Sequence, residues 1–386
     1  MAIHIEMTMP QSLAMMKGIA EYANLHDGWM LHMHPRSGFA PLPPIEQWTG
    51  QGVIAHVGTS TTRQRLQALS CPVVNVSSLL PEMDLPSVVP DNARVGRLAV
   101  EHFRDRGFQH LAFCGYNGHA YSAQRGTAFR EAAEAAGLTC HVMGKWTPLG
   151  RHPVERQWDI EQADFARWLA RLPRPVGVLT ANDMRGRQLI EACRALDIPV
   201  PEEVSVVGVD NDEVLCLTAR PRMSSVALPF DRLGYEAAAL LDRLMRDEAV
   251  SDRRVLIPPT EVVTRQSSEN FAVEDLDVAR ALHFIREHAV EPIGVEDVLA
   301  DVMISRRSLE RRFAGLLGRS PQAEIRRVRL ERAKQLLAGT ELRMPEVAVR
   351  SGFSNAERLS VVFRRETGVT PTDYRRTHRA RDSEQA

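Results

Sequence analysis

Four clusters of short polar side chains each follow a run of apolar residues. Asp91-Asn92 follows Val88–Pro90. Gly115-Tyr116-Asn117-Gly118-His119 follows His110–Cys114, with Arg125 shortly beyond. Asn182-Asp183 follows Val176–Thr180 and Ala181, and Asp210-Asn211-Asp212 follows Val204–Val209. Carboxylates, amides and a guanidinium can form paired hydrogen bonds with vicinal hydroxyls. Tyr116, Tyr121 and Trp146 can stack on the apolar face of a sugar ring. Any one cluster has a plainer reading, because Asp and Asn just ahead of a helix accept hydrogen bonds from its free N–H groups. Four such clusters at strand ends favour a ligand cleft, since ligands of parallel sheets bind at the carboxyl ends of the strands.

A second chemistry lies near the C-terminus, where Val298–Pro321 is repeated as Val347–Pro371. Leu309, Phe313, Gly318 and Pro321 fall on Leu359, Phe363, Gly368 and Pro371 at an offset of 50. Val298 and Ile304 fall on Val347 and Phe353 at 49, so the second copy has one extra residue in its turn. Two helix–turn–helix units joined by a long helix over Pro321–Leu337 are expected. At 100° per residue, Leu309, Phe313 and Leu316 share an inner face. Arg307 and Arg311 point away, with Arg306, Ser308, Glu310 and Arg312 on the flanks. In the second copy Leu359, Val362 and Phe363 face inward, while Glu357, Arg358, Val361, Arg364 and Arg365 face out. Outward Arg near a helix start can pair bidentately with guanine in the major groove, and Glu can accept from cytosine. Arg326, Arg327, Arg375 and Arg376 suit phosphates. A solvated charged face is the competing reading for one helix. A duplicated basic unit weighs against it.

Other chemistries lack their residues. No phosphate loop, dinucleotide-binding glycine pattern, nucleophile elbow or H-E-x-x-H zinc motif occurs, so neither an enzyme nor a cofactor is expected. His32 and His34 share a strand face without a Cys or carboxylate partner, which disfavours a metal site. No apolar run is long enough for a membrane span, and the N-terminus carries no secretory pattern. Five widely spaced cysteines, Cys71, Cys114, Cys140, Cys193 and Cys216, read as reduced thiols of a cytoplasmic protein.

The elements that must position these residues alternate. β-Branched runs and amphipathic stretches succeed one another from Ile3 to Thr264, which predicts an α/β body with parallel sheets covered on both faces. One helix is expected over Asn92–Arg106, with Val95, Leu98, Ala99, His102 and Phe103 near one face. Past the polar stretch Ser267-Ser268-Glu269-Asn270 the pattern is all helical. The expected division is a body over 1–266, a linker over 267–275 and a helical domain over 276–380. Charge divides the same way. The 386 residues carry 48 basic and 49 acidic side chains, a net charge of −1. Residues 303–381 hold 19 basic and 8 acidic side chains, a surplus of +11, and the remainder carries −12. Such asymmetry points to a polyanion partner for one end.

The stretches Val88–Gly115, Val178–Cys193 and Val204–Glu213 resemble the sugar-sensing domain of the lactose/galactose-repressor family. That resemblance covers about 260 residues. It implies a two-lobed periplasmic-binding-protein-like sensor, with crossings near Gly107–His110, Ala227–Asp231 and Pro258–Glu261. It places Asp91, Arg125, Asn182, Asp183, Asp210 and Asn211 at the effector. Family members usually carry a DNA-binding headpiece at the N-terminus, whereas this chain starts on its first strand.

The C-terminal segment resembles AraC-type DNA-binding domains. The resemblance rests on Ile304-Ser305-x3-Leu309-x2-Arg312-Phe313-x4-Gly318-x2-Pro321 and on Gly352-Phe353-x5-Leu359-x3-Phe363-x4-Gly368-x2-Pro371-x2-Tyr374-Arg375. It implies base contacts from Arg307, Glu310 and Arg311, flanked by Arg306, and from Ala356, Glu357, Arg358 and Val361. Met303 stands where the family has a turn glycine, and Val361 can offer only an apolar contact. The pairing of the two domains resembles the xylose-operon regulator family, as do Gly18-Ile19-x-Glu21-Tyr22 and Val207–Asn211. That likeness implies a transcription activator that binds double-stranded DNA as a homodimer, responds to a pentose such as D-xylose and engages RNA polymerase. A hexose, polyol or nucleoside effector remains open. So does a sugar-processing enzyme with a basic docking module.

Overall fold

The computed structural model describes residues 1–5, 10–33, 45, 48–81, 84–143, 154–250, 252–270, 275–340 and 342–379. The chain divides into two compact units, Met1–Asn270 and Phe271–Ala386.

The strands of the first unit are β1 (Ala2–His4), β2 (His32–Met33), β3 (Val53–Ala55), β4 (Val73–Asn75), β5 (Ser87–Pro90) and β6 (His110–Cys114), then β7 (Thr139–Val142), β8 (Val176–Thr180), β9 (Val204–Asp210), β10 (Ser224–Ala227), β11 (Arg254–Ile257) and β12 (Val262–Val263). Its helices are α1 (Pro10–Leu25), α2 (Ser60–Gln67), α3 (Asn92–Arg104), α4 (Ala120–Ala135), α5 (Val154–Leu169), α6 (Asp183–Ala195), α7 (Glu213–Thr218) and α8 (Phe230–Met245). They build two six-stranded sheets, ordered β11-β5-β4-β3-β1-β2 and β12-β10-β9-β8-β6-β7. Among the described residues only β12 pairs antiparallel, with β10. The central strands β8 and β9 are buried along nearly their whole length. That is why their sequences are continuous apolar runs rather than alternating ones.

Three crossings join the sheets. Two match expectation: Leu228–Pro229, between β10 and α8, and Pro258–Glu261, between β11 and β12. The third is corrected. It lies at Pro90–Asp91, ahead of α3, not at Gly107–His110. Helix α3 packs on α4 and against β8 of the second sheet. Its Phe103 ring covers Gly177, where an added Cβ would lie 2.5 Å from the ring. The apolar stripe of α3 was visible in sequence. Which sheet it would cover was not.

The polar stretch expected to begin a linker also differs. Gln266–Ser268 forms a single 3-10 turn, and Ser267 and Ser268 are fully buried in the first unit. Their hydroxyls find partners inside the sheet layer, which composition alone cannot reveal.

The second unit comprises α9 (Leu276–His288), α10 (Val295–Val302), α11 (Arg306–Leu317), α12 (Pro321–Gly339), α13 (Met344–Arg350), α14 (Ala356–Thr367) and α15 (Pro371–Arg379). Val278, Leu282, Ile285, Val298, Leu309, Phe313 and Ile325 form one core. Leu330, Ala333, Leu337, Val347, Phe353, Leu359, Val362 and Phe363 form another. Helix α12 therefore serves both cores, Ile325 in the first and Leu330 to Leu337 in the second. On α11 Leu309, Phe313 and Leu317 are buried, whereas Leu316 is exposed. Both lie near the stripe in projection, and the neighbouring helices cover the Leu317 side.

Candidate effector cleft and nucleic-acid interface

A cavity of about 270 Å³ opens where the carboxyl ends of strands from both sheets meet. His56 follows β3, Val76 to Leu79 follow β4, and Pro90 ends β5 on one side. Asn182 follows β8, and Asp210 ends β9 on the other. Tyr121 and Arg125 reach in from α4, Gln11 and Ser12 from α1, and Phe230 from α8.

Arg125 organises the floor and is 3% exposed. Its Nε donates to Asn92 Oδ1 at 2.9 Å, and its Nη1 donates to the Ala181 carbonyl. Nη2 stands 3.7 Å from Asp210 Oδ1, and the guanidinium lies 5.0 Å over the Tyr121 ring. Burial pushes the Asp210 carboxyl up to about 6. Arg125 opposes that shift, and Asp212 adds to it. Asp210 and Asn211 both have left-handed backbone, at φ 108° and 56°. Residues with a Cβ take such conformations at a cost and only where the surroundings enforce them, commonly at ligand clamps. The cleft thus offers a cation, a carboxylate and an amide to hydroxyl groups, with the Tyr121 and Phe230 rings in its walls.

Of the residues expected at the effector, the structure brings together Arg125, Asn182 and Asp210. Asp91 does not line this cavity; it caps α3 by accepting from the Arg94 amide at 2.8 Å. Asn182 has both roles, capping α6 through the Arg185 amide and facing the cleft. Asp183 is 1% exposed and lies beneath the cleft. It accepts from Ser225 Oγ at 2.5 Å and from the Asp212 amide at 2.7 Å. Burial, then the neighbouring Asp210, hold its carboxyl well above the usual range. Asn211 lines a smaller neighbouring cavity of about 220 Å³ beside Asp210 and Asp212. Tyr116 borders a separate cavity, its ring 4.7 Å from the Arg185 guanidinium. Trp146 and His34 lie outside the described residues. His32 meets Trp48 edge-on at 5.4 Å, and the described residues hold no cluster of His, Cys, Asp or Glu suited to a metal.

Sequence reasoning missed His56, Ser77, Ser78 and Phe230, which line the cleft. A search confined to carboxylate and amide clusters passes over the ends of β3 and β4. Applying the strand-end rule to every parallel strand would have found His56, Ser77 and Ser78.

The second unit presents the duplicated face. Ser305 caps α11 and Asn355 caps α14, each accepting from the amide three residues on. Both helices end in a left-handed glycine, Gly318 and Gly368. Arg306, Arg307, Glu310 and Arg311 are exposed along α11. Arg306 pairs with Glu296 at 2.6 Å. Arg307, Glu310 and Arg311 have no side-chain partner among the described residues. Arg312 turns inward to Asp275 and Asp277, tying α11 to α9. On α14, Glu357, Arg358 and Val361 are exposed, Val361 by 57%, while Ala356 is half-buried. Two arginines expected at phosphates are held internally: Arg327 by Glu324 and Arg375 by the Leu342 carbonyl.

A two-lobed sensor with a polar cleft, followed by two helix–turn–helix units, defines a one-chain transcription regulator. Family comparison agrees. Residues 100–268 match the Periplasmic binding protein-like domain and residues 299–377 the Helix-turn-helix domain. The xylose operon regulatory protein of Escherichia coli K12 is 33% identical over 343 residues, covering 87% of this chain and 86% of that protein. Its counterpart in Haemophilus influenzae is 31% identical over 338 residues, covering 86% of each. The solved structure of a xylose-binding transcription activator aligns over 97% of both chains, with TM-score 0.61 and 30% identity. A regulator solved with cellobiose covers 69% of this chain and 83% of its own, with TM-score 0.55 and 23% identity, which shows a shared fold. The chain belongs to the xylose operon regulatory protein family, and is a DNA-binding transcription regulator. No described helix is long and apolar enough to cross a membrane.

Proposed function

We propose that this regulator responds to D-xylose, and that it works as a homodimeric activator whose two reader units meet successive major grooves. The observation that carries the reading is the cleft. Arg125, Asn182 and Asp210 converge on one cavity with Tyr121 beside them, at the strand ends where such folds bind ligands. In this reading Arg125 donates to hydroxyl oxygens, and Asp210 accepts from hydroxyl protons. Arg307, Glu310, Arg311, Glu357 and Arg358 read base edges, flanked by Arg306 and Ala356, and Val361 packs on a thymine methyl. Tandem half-sites about 34 Å apart suit such readers. A polymerase contact is expected of an activator.

Calorimetry on the full chain with D-xylose, L-arabinose, D-ribose and D-glucose tests the ligand, and operator footprinting tests the response. Binding of D-xylose together with a sugar-dependent footprint is the expected result. Preference for a hexose, or a footprint indifferent to every sugar, overturns the pentose assignment. Asp210→Ala should abolish the sugar response and leave basal DNA binding. Xylose affinity should also fall as pH drops through about 6, where Asp210 takes up a proton and loses acceptor capacity.

A further inference from the structure

The chain leaves the first unit through Arg265–Ser268, and this stretch is fastened beside the strand that carries Asp210. Ser267 Oγ donates to the Val206 carbonyl at 2.6 Å and accepts from the Ser224 amide at 2.8 Å. Ser268 Oγ meets Ser224 Oγ and His102 Nε2, each at 2.8 Å. Arg106 Nε donates to the Ser268 carbonyl at 3.0 Å. Ser224, Ser267 and Ser268 are fully buried. Buried hydroxyls with this many partners hold one backbone arrangement, because moving any of them leaves another unsatisfied.

Arg265 stands at the head of the stretch and faces both ways. Its backbone amide donates to Ser224 Oγ at 2.7 Å, and its carbonyl accepts from the same hydroxyl at 2.9 Å. Its side chain turns toward the end of β9. Nη1 donates to the Met223 carbonyl at 3.0 Å, and Nη2 to Asn211 Oδ1 at 2.9 Å. Asn211 is the second residue of the left-handed pair that follows the body of β9. Its amide is held by Ser225 Oγ at 3.0 Å. Left-handed backbone in two consecutive residues with a Cβ needs outside support. Arg265 and Ser225 supply it.

We propose that Arg265 is the positioning residue that couples the effector cleft to the tether of the DNA-binding unit. Through Asn211 it holds the turn that aims Asp210 into the cleft. Through its backbone it sets the 266–268 turn, after which the chain continues into the second unit. A ligand engaging Asp210 favours one arrangement of that turn, and Arg265 passes the preference to the stretch leading out. The proposal rests on reading the cleft as the effector site.

The test uses the full chain carrying Arg265→Met or Arg265→Lys. Coupled sites commonly change one another's affinity by about 5–150-fold. In wild type, D-xylose should shift operator affinity by a factor in that range. In R265M the factor should fall toward one, with sugar-free operator affinity close to wild type. R265K, which keeps a donor toward Asn211, should be intermediate. A residue that merely braces the fold would lower Tm and leave the factor unchanged, and an unchanged factor in R265M overturns the proposal. Should R265M fail to fold, Asn211→Ala removes the same hydrogen bond from the other side and should lower the factor equally. If wild type itself ignores D-xylose, the effector reading fails, and the link is judged without a ligand. Amides of Ser267 and Ser268 should then exchange hydrogen faster in N211A than in wild type. Equal exchange overturns the link whatever the effector is.

Discussion

The two helix–turn–helix copies share a skeleton and differ in what fills it. Both turns contain a left-handed residue at the same place, Met303 in the first and Gly352 in the second. Gly352 is pressed against its neighbours: a Cβ there would lie 2.1 Å from the Ala289 carbonyl oxygen and 2.8 Å from Arg329 Nε. Met303 is 84% exposed, so its side chain has room and only the backbone conformation is unfavourable. A second difference lies three residues after the proline that starts the next helix. In the first copy that position holds Glu324, buried between Arg319 and Arg327. In the second it holds Tyr374, edge-on to Phe363 at 5.3 Å. The outer faces diverge most. Helix α11 exposes Arg306, Arg307, Glu310 and Arg311, whereas α14 exposes Glu357, Arg358 and Val361 before its last turn. Backbone geometry is held by the packing that both copies need. The exposed chemistry differs, with three arginines and one carboxylate on the first copy against one of each on the second before its last turn.

The sharpest way to break this comparison is at the turns. Gly352→Ala combines left-handed strain with backbone overlap, and should cost roughly 3–5 kcal/mol in urea unfolding. A cost near that of an exposed substitution would mean the two turns are equivalent after all. Next in size is Glu324→Ala, which strands Arg319 and Arg327. Removing one partner of a buried pair costs about 3–5 kcal/mol, and the partial exposure of both arginines should bring this to about 2–3 kcal/mol. Burial pushes the Glu324 carboxyl up, but Arg327 and Arg319 outweigh it and hold it below the usual value of 4.5. Its stabilisation is therefore present above pH 4.5 and lost as pH falls through the folded-state value. Acid unfolding followed by circular dichroism should show that loss in wild type and not in E324A.

On DNA the contrast should appear between arginines. Arg311→Ala should cost about 1–3 kcal/mol of operator affinity and relax specificity, and Arg358→Ala should cost less. Competition against an operator library measures both. A loss for R311A that is uniform across sequences would make Arg311 a phosphate contact. The smallest expected effect is a gain. Met303→Gly relieves the left-handed penalty and should stabilise by about 0.5–1 kcal/mol, read as a small rise in Tm.

Much of the fold was legible because it depends on periodicity. Continuous apolar runs marked β8 and β9, and the i, i+4 stripe marked α3. The repeat offset of 50 marked both closing glycines. Misreadings came where the partner surface decided the outcome. Leu316 and Leu317 lie 100° apart, on opposite sides of the Leu309–Phe313 stripe, and only the packing of α11 on its neighbours decides which side is covered. Arg327 and Arg375 look like phosphate ligands until Glu324 and the Leu342 carbonyl are found beside them. At the cleft, Asn182 and Asp210 were singled out by residue type and strand-end position, and Arg125 by the family resemblance. Asp91, Asp183 and Asn211 satisfied the same rule and proved to cap, brace or flank. His56 stood at a strand end that a search for carboxylates and amides passes over, and Phe230 carried no such signal.

By itself, then, the amino-acid order determined the α/β alternation, the duplicated reader, the opposed charges of body and tail, and which strand ends carry polar groups. These follow from spacing along one chain, which helices and strands convert directly into faces. Tertiary structure alone decided which sheet α3 covers, and so where the first crossing falls. It alone decided which carboxylates line the cavity and which lie beneath it, and that Ser267 and Ser268 belong to the sensor rather than to a free linker. Each of those outcomes depends on atoms distant in sequence, through apolar packing for α3 and through buried hydrogen bonds for the carboxylates and serines, and no local pattern records who wins.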